Sequence, residues 1–345
     1  MGRAASRLSR LPAAAVLLLT GCSPVYVLKA ASGHADLLFR RRTISRVLKD
    51  PSIAEDKKAK LLVVSEARNF AFTVMGLARS RDYSTYAEIR RPHVTWIVTG
   101  APRTRLVPHE WWFPFLGRVP YKGYFNEGEA AREKVRLEKR GLDAAVSGVA
   151  AYNTPLWFSD PVPSPVLSYS RGELAELVIH ELAHGTVFYK NHVAFDESLA
   201  TFIGERGAEE FLTRGYGPDS EEMREYGRAR ERARRIEIAF DGIRRDLETL
   251  FGSDLSEAEK LTRRGRVFEA GRGRLEAARG EPWKGDLNNA VVLAHRLYHE
   301  DLEDFSKVFD MAGGDWRRAI TFLRSLNPKG PREDLKRRVA PPLGL

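Results

Sequence analysis

Two histidines four residues apart, with a glutamate beside the first, constrain this chain more than any other feature: His180-Glu181-Leu182-Ala183-His184. On an α-helix, side chains four apart stand one above the other on the same face. Their imidazole nitrogens can then converge on one small cation, and zinc is the usual occupant of such a pair. Leu174, Leu177, Val178, Leu182 and Val187 surround the motif, so the helix is expected to bury its remaining surface. Ser170-Arg171-Gly172-Glu173 supplies a capping-box pattern to start it. Glu181 stands where its carboxylate can reach a water activated by such an ion, which is the H-E-x-x-H arrangement of zinc metallopeptidases.

A catalytic zinc takes three protein ligands and keeps one position open. Glu197 is the candidate third ligand. It opens a second helical pattern whose apolar face is Leu199, Phe202 and Ile203, and Tyr189-Lys190-Asn191-His192 lets the chain turn back between the two helices. His295 and His299 are also four apart. With no adjacent glutamate and no evident third ligand, packing or surface roles are expected for them.

Asp196-Glu197-Ser198-Leu199-Ala200 resembles the Asn/Asp-Glu-x-x-Ala pattern of the gluzincin peptidases, in which a glutamate on the helix after H-E-x-x-H is the third ligand. More closely, the chain resembles a family of bacterial lipoproteins regarded as zinc aminopeptidases. The resemblance is carried by Ser84-Thr85-Tyr86, Tyr121 to Phe125, Pro155 to Pro161, His180 to His184, Phe195 to Ala200 and Leu287 to Ala290. It implies a peptide substrate, one zinc ion held by His180, His184 and Glu197, and Glu181 as general base. It also implies a tyrosine hydroxyl on the reaction's oxyanion, for which Tyr298 is the first candidate, with Tyr152 and Tyr189 as competitors. An aminopeptidase must further hold the substrate ammonium with a carboxylate; no Gly-x-Met-Glu-Asn signature is present, and Glu127 is the available anchor. Relatives often carry a cysteine pair around the Phe-Pro stretch. Trp112 and Arg118 stand at those places here, so no disulfide carries over.

The first residues read as an address. Arg3, Arg7 and Arg10 precede a short apolar run from Leu11 to Leu19, too short for an ordinary membrane span. Leu19-Thr20-Gly21-Cys22 follows and resembles a lipobox, which implies diacylglycerol attachment at Cys22. Two or three acyl chains anchor a protein to a membrane stably. Cys22 is the only cysteine, so no intramolecular disulfide can form. Ser23 in place of aspartate points, by the same resemblance, to the outer membrane facing the periplasm. The formal charge is +10, yet the most arginine-rich stretch argues against nucleic acid. Residues 221–280 hold fifteen basic and thirteen acidic side chains, interleaved along helical surfaces rather than gathered in a patch.

The remaining pattern predicts an α+β, zincin-like fold: a small sheet, an active-site helix, a ligand helix and a largely helical C-terminal half. A signal peptide (1–21) and a lipid tether (22–54) lead into a metallopeptidase core over 55–215. Within it, helices are expected over 55–77 and 127–140 and strands over 94–99 and 142–152, with Val149 to Tyr152 as the sheet edge offered to substrate. Ile236, Phe240, Ile243, Leu247 and Leu250 form a coiled-coil-like seam, so a helical hairpin is expected over 216–280. Residues 281–345 complete the core with helices over 288–309 and up to Leu326, then a loose tail from Pro328. The function expected is zinc-dependent peptide hydrolysis in the cell envelope, trimming N-termini. The rivals are an endopeptidase with the same site and a non-catalytic zinc-binding lipoprotein scaffold.

Overall fold

The computed structural model describes residues 24–113, 117–150, 159–295 and 302–340. It is an α+β structure in which helices predominate. Its largest core lies where α3 (Glu55–Phe70), α5 (Arg171–His184) and α6 (Val193–Tyr216) meet. The Ser170 hydroxyl accepts the Glu173 N–H while the Glu173 carboxylate accepts the Ser170 N–H, so both halves of the capping box fix the start of α5. Leu174, Ala175, Val178, Ile179, Leu182 and Ala183 are buried, which leaves a half-buried polar stripe through Glu176, His180 and His184. Behind α6, Phe305 of α10 (Leu302–Met311) meets Phe195 and Phe202, with ring centroids 5.4 and 5.9 Å away.

Three strands form the main sheet: β3 (Thr95–Pro102) at the centre, with β6 (Tyr121–Tyr124) and β7 (Leu142–Val149) antiparallel on either side. Alternation along the strands gives the sheet two unlike faces. Trp96 and Val98 pack with Ala130 and Leu137 of α4 (Glu127–Lys139). On the other face Ala101 and Ala145 receive Ala290 of α9 (Asn289–His295). A smaller sheet joins β1 (Arg41–Thr43), β2 (Thr85–Ala87) and β8 (Val162–Pro163), and a ribbon pairs β4 (Trp111–Phe113) with β5 (Gly117–Val119). In that ribbon Trp112 lies directly opposite Arg118, the two places where relatives were expected to carry cysteines.

The long helices α7 (Glu221–Gly252) and α8 (Glu257–Arg279) pack along Phe240, Ile243, Leu247 and Leu275. Their attachment to the sheet is polar. Arg264 Nη2 donates to both carboxylate oxygens of Asp143 on β7, at 2.9 and 2.7 Å, and both side chains are buried. Asp143 also accepts the Asn289 N–H at 3.1 Å, and Asn289 Nδ2 donates to the Pro102 carbonyl at 2.8 Å. Leu287 to Ala290 is therefore the segment that seats α9 against the sheet.

Several expectations give way to the structure. The helix expected over 55–77 leaves α-helical geometry after Phe70, passing through a wide π turn (Ala71–Met75) to left-handed Gly76. The helix expected over 288–309 is helical in its described parts, α9 and α10, and residues 296–301 between them lie outside the described residues. The tail from Pro328 is not loose as far as residue 340: α11 (Trp316–Arg324) is followed by α12 (Pro331–Val339). Pro331 occupies the first turn of α12, where a missing N–H costs nothing. Leu335 is fully buried, and Asp334 accepts the Asn327 N–H at 2.9 Å. Among the described residues no helix is long and apolar enough to cross a membrane.

Candidate metal centre

Helices α5 and α6 bring His180, His184 and Glu197 together, with all three donor atoms within 4.8 Å of one another. The two Nε2 atoms are 3.2 Å apart, and Glu197 Oε2 lies 3.5 Å from His180 Nε2 and 3.6 Å from His184 Nε2. A tetrahedral ion with arms of about 2.0–2.1 Å needs donors about 3.3–3.4 Å apart. The triangle is therefore the right size for zinc, and two imidazoles plus a carboxylate are a suitable donor set. Burial is partial, with side-chain exposures of 18, 18 and 25%, so the triangle is not sealed from solvent.

The helix crossing makes this convergence possible. At Gly204 of α6 a Cβ would stand 3.0 Å from His180 Cβ and 3.1 Å from the Glu176 carbonyl oxygen. Only a glycine lets α6 approach this closely, and the same approach carries Glu197, two turns earlier, to the histidines. The loop between the helices is fixed by Asp196 Oδ1, which accepts the Tyr189 N–H at 2.9 Å.

Electrostatics within the group are strong. Burial opposes charge on Glu197, but hydrogen bonds and charge from His180 and His184 hold its pKa down at about 2. Burial pulls His184 down, yet the Glu197 hydrogen bond and the charges of Glu197, Glu181 and Asp196 leave its pKa raised. Burial is also the main reason that Asp196 is pushed up to about 6, against the Tyr189 N–H and the charge of His184. Glu181, half-buried beside His180 on the same turn, supplies a carboxylate without joining the triangle.

Tyr121 sits at the start of β6 directly opposite Thr99. Opposed residues of an antiparallel pair project to one face, so Tyr121 shares the face of Ala101 and Ala145 rather than that of Trp96. It is 40% exposed, and its hydroxyl pKa is raised by burial and by the Glu197 charge. Tyr121 was quoted above only within a longer stretch, and its orientation depends on a strand pairing that spacing alone does not disclose.

The other candidates fare differently. Tyr189 is buried and donates its hydroxyl to the Leu323 carbonyl, so it is a core tyrosine and not an oxyanion donor. His295 stacks on Phe240 with centroids 3.8 Å apart and belongs to no metal-binding group among the described residues. Glu127 is exposed in the first turn of α4, the helix that covers the face carrying Trp96 and Val98, away from Tyr121. It is not brought to the triad. Cys22, Tyr152, Tyr298 and His299 lie outside the described residues, as does the end of the expected substrate edge beyond Ala150.

Helices α5 and α6 thus gather an H-E-x-x-H pair and a glutamate into one group whose donor atoms could hold a metal ion. The family model described as "Putative aminopeptidase" matches residues 25–337, and the chain belongs to that family. That membership points to peptidase activity. No curated protein and no solved structure matches the chain.

Proposed function

We propose that this chain is a zinc-dependent peptidase of the cell envelope, zincin-like in its core, that removes N-terminal residues from peptides. The observation that carries the reading is the donor triangle of His180, His184 and Glu197, with edges of 3.2, 3.5 and 3.6 Å. When bound there, zinc supplies Lewis acidity, which polarises a peptide carbonyl and lowers the pKa of water towards about 7.

The chain's own groups do the rest. His180 and His184 would offer nitrogen donors to the ion and Glu197 an anionic oxygen. Glu181 is the general base. Its carboxylate takes the proton of the attacking water and later passes it to the departing amine, for which it must stay within hydrogen-bond reach of both. Aminopeptidase action rests on the family match rather than on an ammonium-binding carboxylate. The envelope location rests on the lipobox at Cys22 and its acyl anchor.

Glu181→Gln keeps the side chain's shape and removes the base. Zinc content and folding should survive while turnover falls by about 10²-fold or more. The comparison uses peptides with free and with blocked N-termini. Equal turnover by both proteins on the same metal-loaded preparation would remove the base role. Preference for blocked peptides would make the enzyme an endopeptidase, and a zinc-loaded wild type inert across the whole panel would make it a scaffold.

A further inference from the structure

One buried hydroxyl in the core that seats α5 makes no hydrogen bond among the described residues. Tyr83 is 2% exposed, and its hydroxyl has no hydrogen-bond partner among the described residues. A buried polar group without a partner is destabilising, and native structures keep few of them. The Tyr83 backbone is unusual as well, with φ at +54°. For a bulky aromatic residue the left-handed region is an outlier, and such strain persists only where the surroundings enforce it.

The surroundings do enforce it. The Tyr83 N–H donates to the Asp160 carbonyl at 2.7 Å, and the Asp160 N–H donates to Asp82 Oδ1 at 3.1 Å. Arg68 of α3 grips the same loop, donating to the carbonyls of Asp82 at 2.6 Å and Ser80 at 3.0 Å. Upstream, the Ala78 N–H donates to the Thr186 hydroxyl at 3.0 Å, and that hydroxyl donates to the Leu182 carbonyl at 2.8 Å. The segment before Tyr83 is thus tied at Thr186, just past the end of α5, and through it to the carbonyl of Leu182, the residue next to Glu181. Burial raises the phenol pKa well above its ordinary value, and of the carboxylates acting on it Glu181 contributes most, ahead of Asp160 and Asp82. The ring therefore stays a neutral O–H donor with the Glu181 charge in range.

We propose that Tyr83 is a positioning residue for Glu181, its O–H held inside the fold to donate to the carboxylate as that group turns to meet substrate. Catalytic hydrogen bonds commonly tighten only with substrate in place. A carboxylate has two oxygens: one handles the proton, and the other can be fixed by the phenol. The proposal rests on the peptidase reading for its consequence, but not for its physical test.

That test is a double-mutant cycle of Tyr83→Phe and Glu181→Gln on the full chain, read by thermal melting and by turnover of N-terminally free peptides. Tyr83→Phe deletes only the unpartnered hydroxyl, so its Tm should equal or exceed that of wild type. The gain should be larger in the Glu181→Gln background, where the hydroxyl no longer faces a full negative charge. Turnover should fall about tenfold at unchanged KM, as expected for a misplaced base, with no further loss when the Glu181→Gln substitution is already present. A lower Tm for Tyr83→Phe would reveal a structural partner for the hydroxyl and overturn the proposal. So would additive melting shifts, or undiminished turnover in an active enzyme. A wild type without peptidase activity would defeat the peptidase reading instead, and the melting cycle alone would then decide the role of Tyr83.

Discussion

Gly204→Ala should damage the protein through one methyl group. The added Cβ would lie 3.0 Å from His180 Cβ, 3.1 Å from the Glu176 carbonyl oxygen and 3.4 Å from His180 Cα. Carbon contacts settle at about 3.5–4.0 Å, so α5 and α6 must separate by several tenths of an ångström, or His180 must tilt. Overpacking of this kind costs about 1–3 kcal/mol. Alanine returns about 1 kcal/mol over glycine inside a helix, which leaves a net destabilisation of roughly 0–2 kcal/mol. The effect on the site is more specific. The His180–Glu197 edge, 3.5 Å in the native protein, lengthens with the helix separation, so metal affinity should fall even where stability barely changes. Gly265→Ala on α8 is the control, because nothing lies within 4 Å of its added Cβ; it should be neutral or stabilising by up to about 1 kcal/mol. Thermal melts of the metal-free proteins and a zinc titration against a competing chelator separate the two effects. Native zinc affinity in Gly204→Ala, with a Tm matching that of Gly265→Ala, would refute the account of the crossing.

Asp143→Ala leaves the buried Arg264 guanidinium unpaired and should cost about 3–5 kcal/mol in urea unfolding; replacing both partners with apolar residues of similar volume should recover much of that loss, whereas a cost below about 1 kcal/mol would show that the hairpin is held to the sheet by other contacts. Cys22→Ser should release the protein from membranes or block its maturation, and unchanged membrane fractionation with no acyl label on the wild type would remove the lipid-anchor proposal.

Local signals were legible before the structure was in hand. The capping box at Ser170, the motif histidines and the seam through Phe240 and Ile243 each lie within a few turns of one helix, where spacing translates directly into a face. The tail shows the limit of local reading: Pro328 and Pro331 look like breakers, yet Pro331 suits the first turn of α12, and only the buried Leu335 reveals why the helix forms. Features that depend on distant pairing were not legible. Arg264 finds Asp143 across 121 residues, and Tyr121 acquires its direction from its register with Thr99. Gly204 reads as an ordinary helix glycine until His180 is placed against it. Tyr83 looks like a loop tyrosine until its burial and positive φ are known. The candidate site residues were thus legible from their chemistry, while the helix crossing that brings them together came from packing.

The central claim is that His180, His184 and Glu197 together hold one zinc ion, and elemental analysis of purified mature protein tests it most directly. The wild type and Glu181→Gln should each carry about one zinc per chain, while His184→Ala and Glu197→Ala should each lose it, since a three-ligand site does not survive the removal of a ligand. Full zinc in both ligand variants, or a wild type that takes up none from zinc-containing buffer, would contradict the account.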